Sequence, residues 1–208
     1  MIKPQIVLIG SGGHASSCID VIEQEGQFSI VGLIGIETDL NEKNLEYEVI
    51  GTENSLSALV KNIPYAFIGI GQSKGLEYRG NLFARIEAIG FKIPRVISPL
   101  SYVSKHSSVG FGTVVMHGAQ VNANAAVGTN CIVNSQSLIE HGALIGNNCH
   151  ISTGAIINGD VTIGPSTLVG SGAVIKEGVK IGSNVQIGMG VIVRKNIEDN
   201  ATYVGETK

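Results

Sequence analysis

A chain of 208 residues with 28 glycines and no tryptophan is long enough for one large domain or two modest ones. Its 14 basic and 17 acidic residues leave a net charge of -3 with no basic run, which excludes nucleic acid and an anionic membrane surface as partners. The opening Met1 to Gly10 has too short an apolar run for a signal peptide and no segment could span a bilayer, so the expected location is the cytoplasm.

Ile6 to Ile9 reads as a short apolar strand. The turn Gly10-Ser11-Gly12-Gly13-His14-Ala15 comes next, and then a helix with Ala15, Cys18, Ile19 and Ile22 on one face, ending near Gly26. Phe28 to Ile34 is a second strand, Asn54 is positioned to cap a helix through Val60, and Tyr65 to Ile70 is a third strand. A helix bearing Leu82, Phe83, Ile86 and Ile89 stops at Gly90. Strands alternating with helices imply α/β structure over residues 1–95: a small, Rossmann-like βαβαβ domain with a parallel sheet of about three strands. Pro94 and Pro99 bracket the handover to the second half of the chain.

From Ile97 to Val193 every sixth residue is Val or Ile, and four residues after each comes a small one, as in Ser137, Ala143, Cys149 and Ala155. A six-residue repeat of this length fits neither a helix nor a hairpin strand, so the repeat is itself the structural unit, a parallel β-helix. Gly110, Gly128, Gly146, Gly164 and Gly182 lie eighteen apart, so three hexads make one triangular coil. The aliphatic series fills the axis and the small series fits near the corners. The period leaves the handedness open. This all-β domain covers residues 96–195, and the polar tail, 196–208, closes the last coil.

A glycine turn between a first strand and a helix offers unpaired N–H groups to an anion, and this one fits G-x-G-x-x-A. A tight turn that only needs small residues gives the same pattern. A dinucleotide site also calls for an acid at the end of the second strand, where this chain has Gly35-Ile36 before Glu37. With about three strands, a mononucleotide or nucleotide-sugar fits better than NAD.

On the β-helix, His141 and His150 lie outside both inward series and face solvent or a neighbouring subunit, as catalytic residues or as ordinary surface histidines. A metal site needs three converging imidazoles, whereas His106, His117, His141 and His150 fall on different faces and coils, so no metal is expected. Cys131 and Cys149 stack on consecutive coils, as small packing residues rather than as a disulfide.

The GSGGHA loop, together with a hexapeptide prism containing NSQSLIEHGALIGNNCHISTGAIINGDVTIG, resembles the bacterial nucleotide-amino-sugar N-acetyltransferases of the bacillosamine pathway and the related sialic acid O-acetyltransferases, the PglD/NeuD-like family. The resemblance covers nearly the whole chain, and its most specific part is the pair of histidines in I-E-H-x-x-x-I-G-x-x-x-H-I-S. It implies a left-handed β-helix, a homotrimer with active sites between subunits, acetyl-CoA in the cleft between prisms, and a nucleotide-sugar on the N-terminal domain. By position it implies His141 as catalytic base, Asn134 in the same site, His150, Ser171 and Met189 as acetyl-CoA contacts, and Gly12, Gly13, His14 and Gly71 as substrate contacts. Two departures stand out: Gly35-Ile36 replaces the family's usual Asp-Asp pair, and Gly142 replaces the acid that usually comes after the catalytic histidine.

Acetyl transfer to an amine needs a base for the amine proton and a donor for the oxyanion, and a histidine suits the first near neutral pH. No activated nucleophile lies near His141, so direct attack is expected. One coil above Gly142 stands Asp160, which is expected to supply the missing carboxylate, while Glu140 points to the opposite face by strand alternation. The expected activity is acetyl-CoA-dependent N-acetylation of the 4-amino group of a UDP-linked 4-amino-4,6-dideoxy sugar. O-acetylation of a sialic-type sugar and N-acetylation of a GDP-linked amino sugar are the alternatives. A structural or ice-binding β-helix would show regular Thr-x-Thr ladders, which this chain lacks.

Overall fold

The structure, a computed structural model, describes residues 2–72 and 76–205. It divides into two compact units, Met1–Val96 and Ile97–Lys208.

In the first unit, β1 (Gln5–Ile9) leads through the glycine turn into α1 (Gly13–Glu25), whose buried face is Ala15, Cys18, Ile19, Val21 and Ile22. The helix ends where Gly26 takes the left-handed conformation at φ 69° and its N–H reaches the Ile22 carbonyl. β2 (Ser29–Gly35) and, further along, β5 (Tyr65–Ile68) flank β1 on either side, both parallel to it. Helix α3 (Leu76–Ile89) closes the unit.

The sheet has five strands, not the three expected. Strands β3 (Lys43–Asn44) and β4 (Tyr47–Thr52) form an antiparallel hairpin whose second strand extends the sheet parallel to β2, giving the order β3-β4-β2-β1-β5. The signal was a period-two burial across Tyr47 to Thr52, with Val49 and Gly51 in and Glu48 and Ile50 out, but only Val49 and Ile50 are aliphatic. Asn54 does not cap a helix. It lies inside a 3-10 turn (Glu53–Ser55) that runs into the single turn α2 (Leu56–Leu59), whose N-terminal flank is Ser55.

The second unit is the left-handed parallel β-helix. Seventeen two-residue strands, β6 (Val96–Ile97) to β22 (Ile192–Val193), stack into three parallel sheets, and each pairs with the strand three places along, eighteen residues away. The second residue of each strand is the inward Val or Ile, and most are fully buried along the axis, where each side chain contributes about 1.5–3 kcal/mol of burial. The tail continues the coil. Ile197 bridges to Ile181, and β23 (Thr202–Tyr203) pairs with Gln186 and Ile187.

The small series does more than fit the corners. At one of the three edges, Thr113, Cys131, Cys149 and Thr167 each donate to the carbonyl of the glycine fifteen residues on, at 2.8, 3.1, 3.2 and 2.9 Å. Both cysteines are buried and free, as their packing role requires.

A third six-residue series sets the turns. Gly112, Gly118, Asn124, Asn130, Gln136, Gly142, Asn148, Gly154, Asp160, Ser166, Gly172, Gly178, Asn184 and Gly190 all adopt φ between 54° and 70°. Each corner thus uses one left-handed residue, which favours Gly and Asn because other side chains crowd the backbone there. Asp160 tolerates the position because a short polar side chain can bond locally.

Candidate functional site

The glycine turn of the first unit sorts its own residues. A Cβ on Gly10 would lie 2.8 Å from the Gly69 carbonyl oxygen, and Gly69 would itself meet Ala15 at 3.2 Å. These small residues are required by close packing of the turn, the helix and the end of β5. Gly12 and Gly13 have nothing within 4 Å of a built Cβ, so their missing side chains leave open space above the start of α1. Among the described residues, the N–H groups of Ser11, Gly12 and Gly13 have no acceptor. That is the arrangement an anion needs at a helix N-terminus.

Gly71 and His14 come together beside this space, 3.7 Å from a built Gly71 Cβ to the His14 Cβ and Cγ. The His14 Nε2 lies 3.6 Å from the Cys18 sulfur. Burial pushes the Cys18 thiol up to about 12, against the pull of the nearby Arg79 guanidinium, so Cys18 is a thiol and not a thiolate. Arg79 is itself buried and donates to the Ile68 and Ile70 carbonyls at 2.9 and 2.7 Å, which fixes the chain leading to Gly71.

Residues that the sequence reading passed over complete the turn's surroundings. Ser11, Gly12, Asp39, Lys43 and Asn44 line a cleft of about 210 Å³ together with Glu42 and Val49. Ser11 donates to the Asp39 carboxylate at 2.6 Å, and this bond, outweighing partial burial, holds its carboxyl below the usual range, helped by Thr38 and the Ile36 backbone. Asp39 therefore presents a carboxylate three residues beyond the Gly35-Ile36 that replaces the expected acid pair. A 3-10 turn (Glu37–Asp39) brings it back against Gly35, and no sequence motif marks that turn.

On the prism the predicted residues fall on two different edges. Asn134, Ser171 and Met189 share one edge, at turns stacked on one another through bonds such as Gly190 N–H to the Ser171 carbonyl at 2.8 Å. The strand residue His150 is near them, its Nε2 3.4 Å from the Asn134 amide nitrogen. Met189 is 80% exposed.

His141 and Asp160 share another edge, and the strand Leu138–Ile139 lies between the Asn134 turn and the His141 turn. The structure therefore brings Asn134 and His150 together, and His141 and Asp160 together, but does not unite the two pairs within one chain. His141 is exposed. Its imidazole lies over the next coil at Gly159, where a Cβ would be 2.6 Å from Cε1 and 2.8 Å from Nε2. Gly159 stands eighteen residues after His141, so the same coil arithmetic that points to Asp160 also points to this glycine.

The Asp160 N–H donates to the His141 carbonyl at 3.0 Å, and the Asp160 carboxylate oxygen occupies the space a Cβ on Gly142 would take. It makes no hydrogen bond to the His141 ring among the described residues. Glu140 is engaged elsewhere, accepting from Asn122 at 2.9 Å and from the His141 backbone N–H at 3.2 Å. No group of three potential metal ligands occurs among the described residues, and no helix there is long and apolar enough to cross a membrane.

Residues 5–77 match the PglD N-terminal domain family. Residues 142–177 and 160–195 match the bacterial transferase hexapeptide repeat, and residues 121–158 the hexapeptide repeat of succinyl-transferase. No curated protein matches the chain. Among solved structures, a variant of perosamine N-acetyltransferase from Caulobacter crescentus, in complex with CoA and GDP-perosamine, is 27% identical over 95% of this chain and 92% of that one, with a TM-score of 0.89. The acetyltransferase domain of PglB from Neisseria gonorrhoeae FA1090, in complex with acetyl coenzyme A, is 27% identical over 98% and 97%, also at 0.89. WeeI from Acinetobacter baumannii AYE, 22% identical over 96% of each chain at a TM-score of 0.82, shares the fold. The chain thus carries a PglD-type N-terminal domain ahead of a bacterial transferase hexapeptide-repeat domain, and over nearly its whole length it is similar to acetyltransferases that hold CoA or acetyl-CoA.

Proposed function

We propose that the protein transfers an acetyl group from acetyl-CoA to the 4-amino group of a UDP-linked 4-amino-4,6-dideoxy sugar. The observation that carries this reading is the open glycine turn, with free N–H groups and space above Gly12 and Gly13, in a chain similar over almost its whole length to one enzyme holding CoA and GDP-perosamine and another holding acetyl-CoA. The diphosphate rests on that turn beside His14 and Gly71, and the Asp39 carboxylate accepts hydrogen bonds from the nucleoside, in place of the missing acid pair. A GDP-linked amino sugar is the second reading, favoured by the GDP-perosamine bound to the Caulobacter enzyme. The test is turnover of acetyl-CoA with the UDP- and GDP-linked 4-amino sugars and with a sialic-type sugar, monitored by release of free CoA. Turnover with none of them, or with the sialic-type sugar alone, would overturn the reading.

In the reaction the amine lone pair attacks the thioester carbonyl. The amine proton passes to the His141 imidazole, the carbon–sulfur bond breaks, and the proton goes on to the CoA sulfur. Asn134, His150, Ser171 and Met189 line the acetyl-CoA side, which lies on a different prism edge from His141. A site combining both edges requires a second copy of the chain, and a trimer supplies it while covering half-exposed apolar residues such as Leu138, Leu144 and Leu168. Sedimentation at micromolar concentration should therefore report a trimer, and a monomer would overturn the shared site.

Asp160 is proposed to orient His141. With Gly142 leaving it room, rotation of the exposed imidazole would bring a ring N–H to the carboxylate, fixing the tautomer and stabilising the imidazolium. Asp160→Asn preserves the left-handed turn but removes the charge, so kcat/KM should fall by about ten-fold or more, a barrier increase of about 1.4 kcal/mol. The pH–rate profile should shift with it, while Glu140→Gln changes little. An Asp160→Asn enzyme with unaltered rate and profile would leave His141 unassisted from this side.

A further inference from the structure

We propose that Asn44 is the positioning residue that holds the glycine turn in its anion-binding shape, an inference that rests on the first unit being the nucleotide-sugar site. Asn44 ends the two-residue strand of the hairpin, paired with Tyr47 across a turn in which Leu45 is left-handed at φ 51°. Its amide nitrogen donates to the Ser11 carbonyl at 2.7 Å and to the Gly12 carbonyl at 3.1 Å. Its amide oxygen accepts from the Ser16 hydroxyl at 2.8 Å, and the two carbonyls, which can only accept, settle which way round the amide sits.

Peptide geometry carries the effect of these bonds to the N–H groups. In a planar trans peptide the C=O and the N–H point in opposite directions. The Ser11 carbonyl shares its peptide with the Gly12 N–H, and the Gly12 carbonyl shares its peptide with the Gly13 N–H. By drawing both carbonyls toward the hairpin, Asn44 turns both N–H groups outward, where they find no acceptor in the described chain and the space is open. The Gly12 carbonyl is held further by the N–H groups of Ala15 and Ser16 at 2.9 and 3.3 Å, but among the described residues the Ser11 carbonyl has only Asn44. Without that bond the first peptide is free to rotate, because glycine at position 12 imposes little restraint, and its carbonyl oxygen can face the anion in place of an N–H. Ser11 is fixed from its other side by the hydroxyl bond to Asp39, so the hairpin and the residues after β2 together clamp one peptide.

Asn44→Asp opposes a carboxylate to two carbonyl oxygens, and Asn44→Ala removes the donors without adding charge. Calorimetric titration with UDP, GDP, uridine and guanosine reads the effect. The unaltered protein should bind one diphosphate at least about ten-fold more tightly than its nucleoside, as expected for N–H bonds to a charged group. Both variants should lose most of that preference, while nucleoside affinity changes less than about two-fold and the acetyl-CoA KM stays put. Ser16→Ala, which only loosens the amide, should cost less than either. Variants that keep the full diphosphate preference would overturn the role of Asn44 and leave the nucleotide-sugar reading intact. An equal loss of nucleoside and diphosphate affinity would likewise overturn it, as general damage to the hairpin. Failure of the unaltered protein to bind either diphosphate would overturn the reading and the inference together.

Discussion

Replacing His141 by asparagine should lower kcat on the amino sugar by about 10²–10⁴-fold, the usual share of a general base, with little change in the acetyl-CoA KM. The amide keeps much of the imidazole's size and polarity but cannot accept the amine proton. The histidine is exposed, so the substitution should leave the melting temperature unchanged. Gly159→Ala offers a second route to the same residue. A Cβ there would press on the far end of the His141 side chain, 2.6 Å from Cε1, and an exposed side chain can swing away at small energetic cost. Activity should fall while stability holds. A His141→Asn enzyme keeping more than about a tenth of the wild-type kcat would remove this residue from the proton path.

A large loss of stability is expected at Gly146. A Cβ there would lie 2.6 Å from the Pro165 nitrogen and 2.9 Å from the Gly164 carbonyl carbon and the Pro165 Cα, all backbone atoms of the next coil. Gly128 and Gly164 make the same close approach, at 2.8 Å to Gly146 and 2.6 Å to Gly182, so consecutive coils touch directly along this edge. Unlike the His141 ring, a backbone in a continuous parallel ladder can yield only by shifting the strands on either side. Gly146→Ala should therefore cost about 3 kcal/mol, the upper end of ordinary overpacking. In a chain of this length that lowers the melting temperature by roughly 6–12 °C. Calorimetry showing an unchanged transition would mean that the coils can separate there without cost. The contrast with Gly159 is a useful control, since two glycines on neighbouring coils should separate loss of activity from loss of stability.

The β-helix was legible in the chain because its constraint is local and repeats. Each axial position needs a β-branched side chain and each corner a small one, so Ile97 to Val193 announces strands, coils and their eighteen-residue register without any tertiary information. The left-handed turn residues, Gly142, Asn148 and Asp160 among them, form an equally regular series that becomes meaningful once backbone angles are known. The stacking of Asp160 over Gly142 came from the same register. The edges on which functional residues meet were less evident. Asn134 and His141 are seven residues apart, yet a strand divides them onto different edges, while Asn134 and His150, sixteen apart, are brought within 3.4 Å.

In the first unit the strand, glycine turn and helix were readable from Ile6 to Gly26, since apolar periodicity and glycine conformation are both local properties. Tertiary structure decided which glycines serve packing and which leave room for a ligand: Gly10 is pressed against Gly69, whereas Gly12 and Gly13 face open space. It also decided the roles of Asp39 and Asn44. Neither belongs to a motif, and their bonds to Ser11 span 28 and 33 residues, through a hairpin whose few aliphatic residues left it unrecognised. A repeat declares itself because the same physical demand recurs at every turn, whereas a clamp on a single peptide is made once, by residues that only the folded chain brings together.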